Sequence, residues 1–294
     1  MPEPWLSERP SAGARSRLAD PAIRRAVAHG LTLAGLLFAA YLFVVVAPAA
    51  GTLGFDAYAY WSVDPTSPYD QSAGALGAFP YTPVAARFFA LFGSLTWPAF
   101  LWMWLAVLVG TTIWLGWRSA LVVLAFPPVA LEIYHGNVNL LIASALVLGF
   151  RYPAFYVVPL LTKVTPGIGL LWFAVRGEWR RLLIAAGVTG LLVALSLAVD
   201  ARLWSDWWAS VTATATGASP TGQPELPIPL WLRALAEGLL IVWGGRTDRP
   251  WTVPAGATLA MPILWPTAFA VLAALWPIAQ RRRGLTDEAT LRGR

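Results

Sequence analysis

The chain has one lysine, Lys163, in Thr162-Lys163-Val164-Thr165-Pro166, and every other cation among its 21 Lys and Arg is Arg. It lies between two apolar runs. An ionisable residue at membrane depth is costly and is a functional candidate by default. A phosphate or pyrophosphate would be its natural partner, and the plainer reading is an ammonium reaching along the interface to water. Asp56 stands in Phe55-Asp56-Ala57-Tyr58-Ala59-Tyr60, shortly after the first apolar run. A carboxylate at the mouth of an apolar cavity suits a general base; a solvated loop Asp is the alternative. In Glu132-Ile133-Tyr134-His135-Gly136-Asn137-Val138-Asn139, His135, Asn137 and Asn139 could bind sugar hydroxyls or phosphate, or form a helix cap and turn. Asn139 is expected to pack within the membrane. Glu132 could orient the imidazole one turn later or face water. Tyr58, Tyr60 and Tyr81 could stack on a sugar or anchor at an interface, and Thr165 adds a hydroxyl beside Lys163. Asp64 and Asp70 read as turn residues, although Asp56, Asp64 and Asp70 leave a divalent cation on oxygen ligands open. No cofactor is expected. There is no Gly-rich phosphate loop, HExxH or Ser-His-Asp pattern, and no Cys and only 2 His, which excludes thiolate chemistry and His-rich metal sites.

A membrane fold must position these groups. Hydrophobic residues make up 57% of the 294 and charged residues 12%, with 17 Trp and 24 Pro and a mean hydropathy of +0.61. A soluble domain carries roughly 25% charged residues. The net charge of +6 comes from Arg beside apolar runs, as in cytoplasmic loops under the positive-inside rule, and nucleic acid is a poor partner. The expectation is an all-α polytopic membrane protein: a cytoplasmic basic segment over 1–29, disordered at its start, a single transmembrane domain over 30–280, and a cytoplasmic basic tail over 281–294. The first span is 31–50, an uncleaved signal anchor. Residues 51–83 and 200–228 form two outer loops. Between Arg118, Arg151 and Arg176 lie two hairpins, 119–134 with 138–150 and 152–161 with 167–175. Legs of roughly 10–14 residues reach about 15–21 Å, short of a core of about 30 Å. The hairpin tips, with Lys163 and His135, should therefore stop inside the outer leaflet around a polar cavity. A segment over 182–199 crosses back, 229–245 lies along the interface, and 253–278 makes the last of about eight crossings, several short.

These features in this order resemble the GT-C superfamily, and within it glycosyltransferase family 87, the polyprenyl-phosphate-mannose-dependent mannosyltransferases of actinobacteria and their relatives. The family's Asp with following aromatics matches Phe55-Asp56-Ala57-Tyr58-Ala59-Tyr60. Its Tyr-Pro-Pro-like element matches Tyr81-Thr82-Pro83, with Thr in place of the first Pro. Its Gly-Gln-x-Asn element matches Gly136-Asn137-Val138-Asn139, with Asn in the Gln place. Its Lys-x-x-Pro element before a basic turn matches Lys163-Val164-Thr165-Pro166 and the Arg residues from Arg176 to Arg181. The likeness covers roughly 30–200, in a chain shorter than is usual for the family. It implies a GT-C-like bundle with interfacial helices and an inverting transferase facing away from the cytoplasm. The donor would be mannose or arabinofuranose on polyprenyl phosphate, and the acceptor a lipid or envelope glycan. Asp56 would be the base, and Lys163 with His135 would hold the departing phosphate. The rival readings are a flippase of lipid-linked sugar and an inactive scaffold in glycan assembly. Sugar, acceptor and oligomeric state are not legible.

Overall fold

The computed structural model describes residues 20–216 and 228–280; the expected disordered N-terminal stretch and basic C-terminal tail lie outside them. The chain is all-helical, with no strand among the described residues. Three stretches are long and apolar enough to cross a membrane, Pro21–Ala50, Trp97–Leu124 and Trp179–Val199, or four if the bent pair Pro127–His135 and Asn139–Gly149 counts as one. Full-length helices thus supply fewer crossings than the expected eight, and shorter helices make up the rest of the bundle.

The first helix, α1 (Pro21–Ala50), starts well before residue 31. Asp20 caps it, its Oδ1 accepting from the amide of Ala22 at 2.8 Å, and Pro21 sits where a missing N–H is harmless. Residues 21–29, expected in the basic lead, are therefore helix. Gly51, left-handed at φ 63°, ends it. Leu31, Leu33, Leu37 and Val44 stay exposed, a surface suited to lipid. Gly54, at φ 76°, then opens α2 (Phe55–Trp61), which carries Asp56 in its first turn. α3 (Pro83–Ala90) and α4 (Trp97–Gly116) follow, each with proline in its first turn. The 20 residues of α4 reach about 30 Å, one bilayer core. At Trp117 (φ 48°) the chain turns beside Arg118, and α5 (Ala120–Leu124) packs back on α4.

Where the two hairpins are expected the chain forms two pairs of short helices, and the first leg begins at Pro127 rather than at 119. In the first, α6 (Pro127–His135) and α7 (Asn139–Gly149) are bent by 116°. The second pairs α8 (Pro153–Thr162) with α9 (Thr165–Val175). The 11 residues of α7 rise only about 16 Å, about half the thickness of a bilayer core. α7 is the core of the molecule: Asn139, Leu140, Ile142, Ala143 and Leu146 are all fully buried. α10 (Trp179–Val199) returns along an exposed apolar face.

The region 200–228 differs from expectation. Its described part is α11 (Arg202–Thr216), not loop, because Trp204, Trp207 and Trp208 follow helical spacing. The helix is pinned where Trp207 Nε1 donates to the Pro80 carbonyl at 3.2 Å and Trp204 Nε1 to Ser196 Oγ at 3.2 Å. The segment expected along the interface is α12 (Leu230–Arg246), and it turns two of its three charges inward: Arg233 and Glu237 are buried, while Arg246, Trp231, Leu235, Leu239 and Trp243 are exposed. The single expected last crossing is two helices, α13 (Thr252–Leu259) and α14 (Pro266–Gln280). Pro262 and Pro266 explain the break, since neither offers an N–H to continue a helix. Arg233 bridges it, donating from Nη1 to the carbonyls of Leu259 (3.0 Å) and Met261 (2.7 Å) and from Nη2 to that of Pro262 (3.0 Å).

Candidate active site

The first tip turns on Gly136, left-handed at φ 71°. A Cβ there would stand 2.6 Å from Ala57 Cβ and 3.4 Å from Trp104 Cδ1, so α2 rests directly on the tip. Trp104 Nε1 donates to the Gly136 carbonyl at 2.7 Å, and the Gly54 amide to the Tyr134 carbonyl at 2.8 Å. These contacts hold the half-buried Asp56 over the tip, where Asn137 Nδ2 donates to its Oδ2 at 2.7 Å. Asn137 Oδ1 accepts from the Val138 amide at 2.7 Å, which fixes the amide with its NH2 toward the carboxylate.

Glu132 does not orient His135. It is fully buried and caps α7: its carboxylate accepts from the amides of Asn139 and Leu140 and, at 2.9 Å, from Asn139 Nδ2. A carboxylate at a helix N-terminus meets free N–H groups and the positive end of the helix dipole. Asn139, read as a possible ligand for substrate, is fully buried; its Nδ2 also donates to the Thr267 carbonyl at 3.1 Å. It is a strut beneath the tip.

The second tip carries Lys163. Val164 after it has φ 57° and ψ −61°, and the Thr165 amide donates to the Lys163 carbonyl at 2.6 Å. That is a positive-φ γ-turn, a rare and strained form, here on a β-branched residue. Thr165 Oγ1 reaches the same carbonyl at 3.3 Å, so this hydroxyl serves the turn. Thr82 Oγ1 donates to the Leu161 carbonyl at 2.6 Å and ties the start of α3 to this tip. Lys163 is half-buried, and its ammonium has no hydrogen bond or ion pair among the described residues. It lies within electrostatic reach of both Glu132 and Asp56. The half-buried His135, against the ring of Tyr134 at 5.1 Å, is likewise within reach of Asp56. One end of the bundle thus gathers a carboxylate, a carboxamide, an imidazole and an ammonium. The opposite ends of α7 and α9 lead to Arg151 and Arg176; Arg176 pairs with Glu178 and Asp248 at 2.8 and 2.9 Å.

The tyrosines divide. Tyr60, one turn after Asp56, is buried; its hydroxyl meets that of Tyr81 at 2.9 Å, and its ring stacks on Phe89 at 4.6 Å. Tyr58 points elsewhere, between Trp61 and Trp97. Asp64 makes its expected turn: hydrogen bonds from the Thr66 hydroxyl and amide hold its carboxyl below the usual range. No group of three or more His, Cys, Asp or Glu that could hold a metal occurs among the described residues, so Asp56, Asp64 and Asp70 do not converge.

Sequence reasoning missed Trp104, which holds the tip, and Arg87 in α3, whose Nε is buried without a partner. Arg87 is the only charged residue between Asp70 and Arg118, which was the available signal.

The family model of glycosyltransferase family 87 matches residues 79–291. The chain belongs to glycosyltransferase family 87. The match takes in both hairpins and the last helices and begins after Asp56, so the family 87 assignment rests on the part of the chain that carries His135, Asn137 and Lys163. No curated protein and no solved structure matches the chain. As a family 87 member with apolar spanning helices, the protein is a membrane glycosyltransferase.

Proposed function

We propose that the enzyme transfers a sugar, mannose or arabinofuranose, from a polyprenyl-phosphate donor to a lipid or envelope-glycan acceptor on the extracytoplasmic face, with inversion. The observation that carries this reading is the pairing of Asp56 with Asn137 at 2.7 Å within electrostatic reach of the lone Lys163. Arg-rich ends at the other side of the hairpins support the sidedness, with both termini cytoplasmic. Asp56 takes the proton of the acceptor hydroxyl. The acceptor oxygen bonds to the anomeric carbon as the bond from that carbon to the phosphate oxygen breaks. Polyprenyl phosphate leaves with the electron pair. Lys163, with His135, balances the leaving phosphate, so no second carboxylic acid is required, unlike glycoside hydrolysis. Asn137 keeps one carboxylate oxygen engaged and leaves the other for the acceptor. Gathering the polar groups at one end also suits a transferase better than a flippase, whose site belongs near the midplane.

The test is transfer from radiolabelled decaprenyl-phosphate-mannose and decaprenyl-phosphate-arabinofuranose to membrane glycolipids by reconstituted protein. Asp56→Asn should fold and reconstitute normally and transfer nothing. Transfer at wild-type rate by that variant would remove Asp56 from the mechanism.

A further inference from the structure

α3 carries a cation that the Asp56 site does not use. Arg87 is half-buried, its Nε is enclosed without a hydrogen-bond partner, and its guanidinium has no ion pair among the described residues. Arg233, by contrast, is buried and donates to four backbone carbonyls. A guanidinium presents its N–H donors in a planar fork and does not shed its proton. Set against apolar surface, it is costly until an anion completes it.

The surface around Arg87 is apolar. By helical spacing it shares a face with Val84, Phe88 and Leu91, and Phe88 and Leu91 are 54% and 73% exposed. α3 packs against α10 and α11. The half of α10 nearer α11 exposes Leu191, Leu195 and Val199, and α11 exposes Trp208, a side chain suited to the level of lipid headgroups. Thr82, at the start of α3, is bonded to the Leu161 carbonyl of the second tip. The 8 residues of α3 rise only about 12 Å, so Arg87 stays at that end of the bundle. The donor phosphate is not its partner: the charges that reach Lys163 are those of Glu132 and Asp56, not that of Arg87. Nor does a zwitterionic headgroup complete the set, because no carboxylate pairs with Arg87 among the described residues and the headgroup ammonium would go unmatched. A lipid with net negative charge satisfies both the guanidinium and the apolar face.

We propose that Arg87 anchors a bound anionic phospholipid of the bilayer, its guanidinium holding the phosphodiester while the acyl chains lie along Phe88, Leu91 and the exposed face of α10. The experiment is native mass spectrometry of detergent-solubilised full-length protein titrated with phosphatidylglycerol and, separately, with phosphatidylcholine. Wild-type protein should bind phosphatidylglycerol about tenfold tighter, the worth of a hydrogen bond to a charged group. Arg87→Gln should lose that preference, and Arg87→Lys, which keeps the charge without the fork, should retain part of it. Arg202→Gln removes an exposed guanidinium from α11 and should leave the preference unchanged. Equal binding of the two lipids by wild type, or an undiminished preference in Arg87→Gln, overturns the proposal. So does an equal loss in Arg202→Gln, the mark of general charge attraction. Donor kinetics in phosphatidylcholine nanodiscs test the rival occupant: Arg87→Gln should match wild type there. A donor KM raised about tenfold would hand Arg87 to the donor phosphate and overturn the proposal. The lipid titration does not depend on the transferase reading, so a protein that fails to transfer sugar yet keeps the preference would sink that reading and leave this one standing.

Discussion

Replacing Gly136 by Ala tests the joint between α2 and the first tip. The residue sits at φ 71°, where an L side chain costs about 1–2 kcal/mol. The added methyl would lie 2.6 Å from Ala57 Cβ, and forcing an extra carbon into a packed site costs about 1–3 kcal/mol. Together Gly136→Ala should destabilise by about 2–5 kcal/mol and lower the apparent Tm in detergent by several degrees. Part of the strain should be relieved by pushing α2 off the tip, lengthening the bond from Asn137 to Asp56. Transfer below Tm should then fall about 10–100-fold, as small misplacements of catalytic groups do. Gly187→Ala in α10 is the control, since a Cβ there meets nothing within 4 Å; it should be neutral or slightly stabilising. The decisive variant is Gly136→Ala with Ala57→Gly, which removes the clash and keeps the backbone strain. It should recover about 1–3 kcal/mol relative to additivity. Gly136→Ala behaving like Gly187→Ala, or no recovery from Ala57→Gly, would refute the packing of α2 on the tip.

Other expectations concern single groups. Asn137→Ala should lower kcat about 10–100-fold and cost about 1.5–3 kcal/mol in thermal unfolding, the worth of a hydrogen bond to a carboxylate; Asn137→Gln, which keeps the carboxamide on a longer stem, should keep most of the activity in the same assay. Trp104→Phe strands the buried Gly136 carbonyl and should cost about 1–3 kcal/mol in thermal unfolding. Lys163→Gln should lower kcat/KM for the donor about 100-fold or more, and Lys163→Arg should recover part of it. Equal donor kinetics for wild type and Lys163→Gln would remove the ammonium from phosphate binding.

The hairpins were legible because Arg118, Arg151 and Arg176 punctuate apolar runs too short to cross alone. The electrostatic reach of Lys163 and His135 to Asp56 follows from two tips at the same end of the bundle. The role of Glu132 was not legible: its partners are amides seven and eight residues on, brought near only by the 116° bend. The choice among the tyrosines depended on α2 being a helix, which places Tyr60 on the face of Asp56 and Tyr58 away from it. Polar residues around Trp204 masked the helical spacing of α11. The inward turn of Arg233 and Glu237 was hidden because an Arg and a Glu at i,i+4 read equally well on a wet surface.

The guanidinium of Arg233 has a consequence for the far end of the bundle. By engaging the oxygens left over where α13 gives out, it turns a proline-riddled gap into a rigid elbow without needing water there. The elbow fixes the start of α14, and the Thr267 oxygen just beyond it receives Asn139 from beneath the first tip. Residues remote in sequence from Asp56 thus act as its foundation, and a lysine at 233, with a single nitrogen in place of a fork, would leave that foundation free to rock.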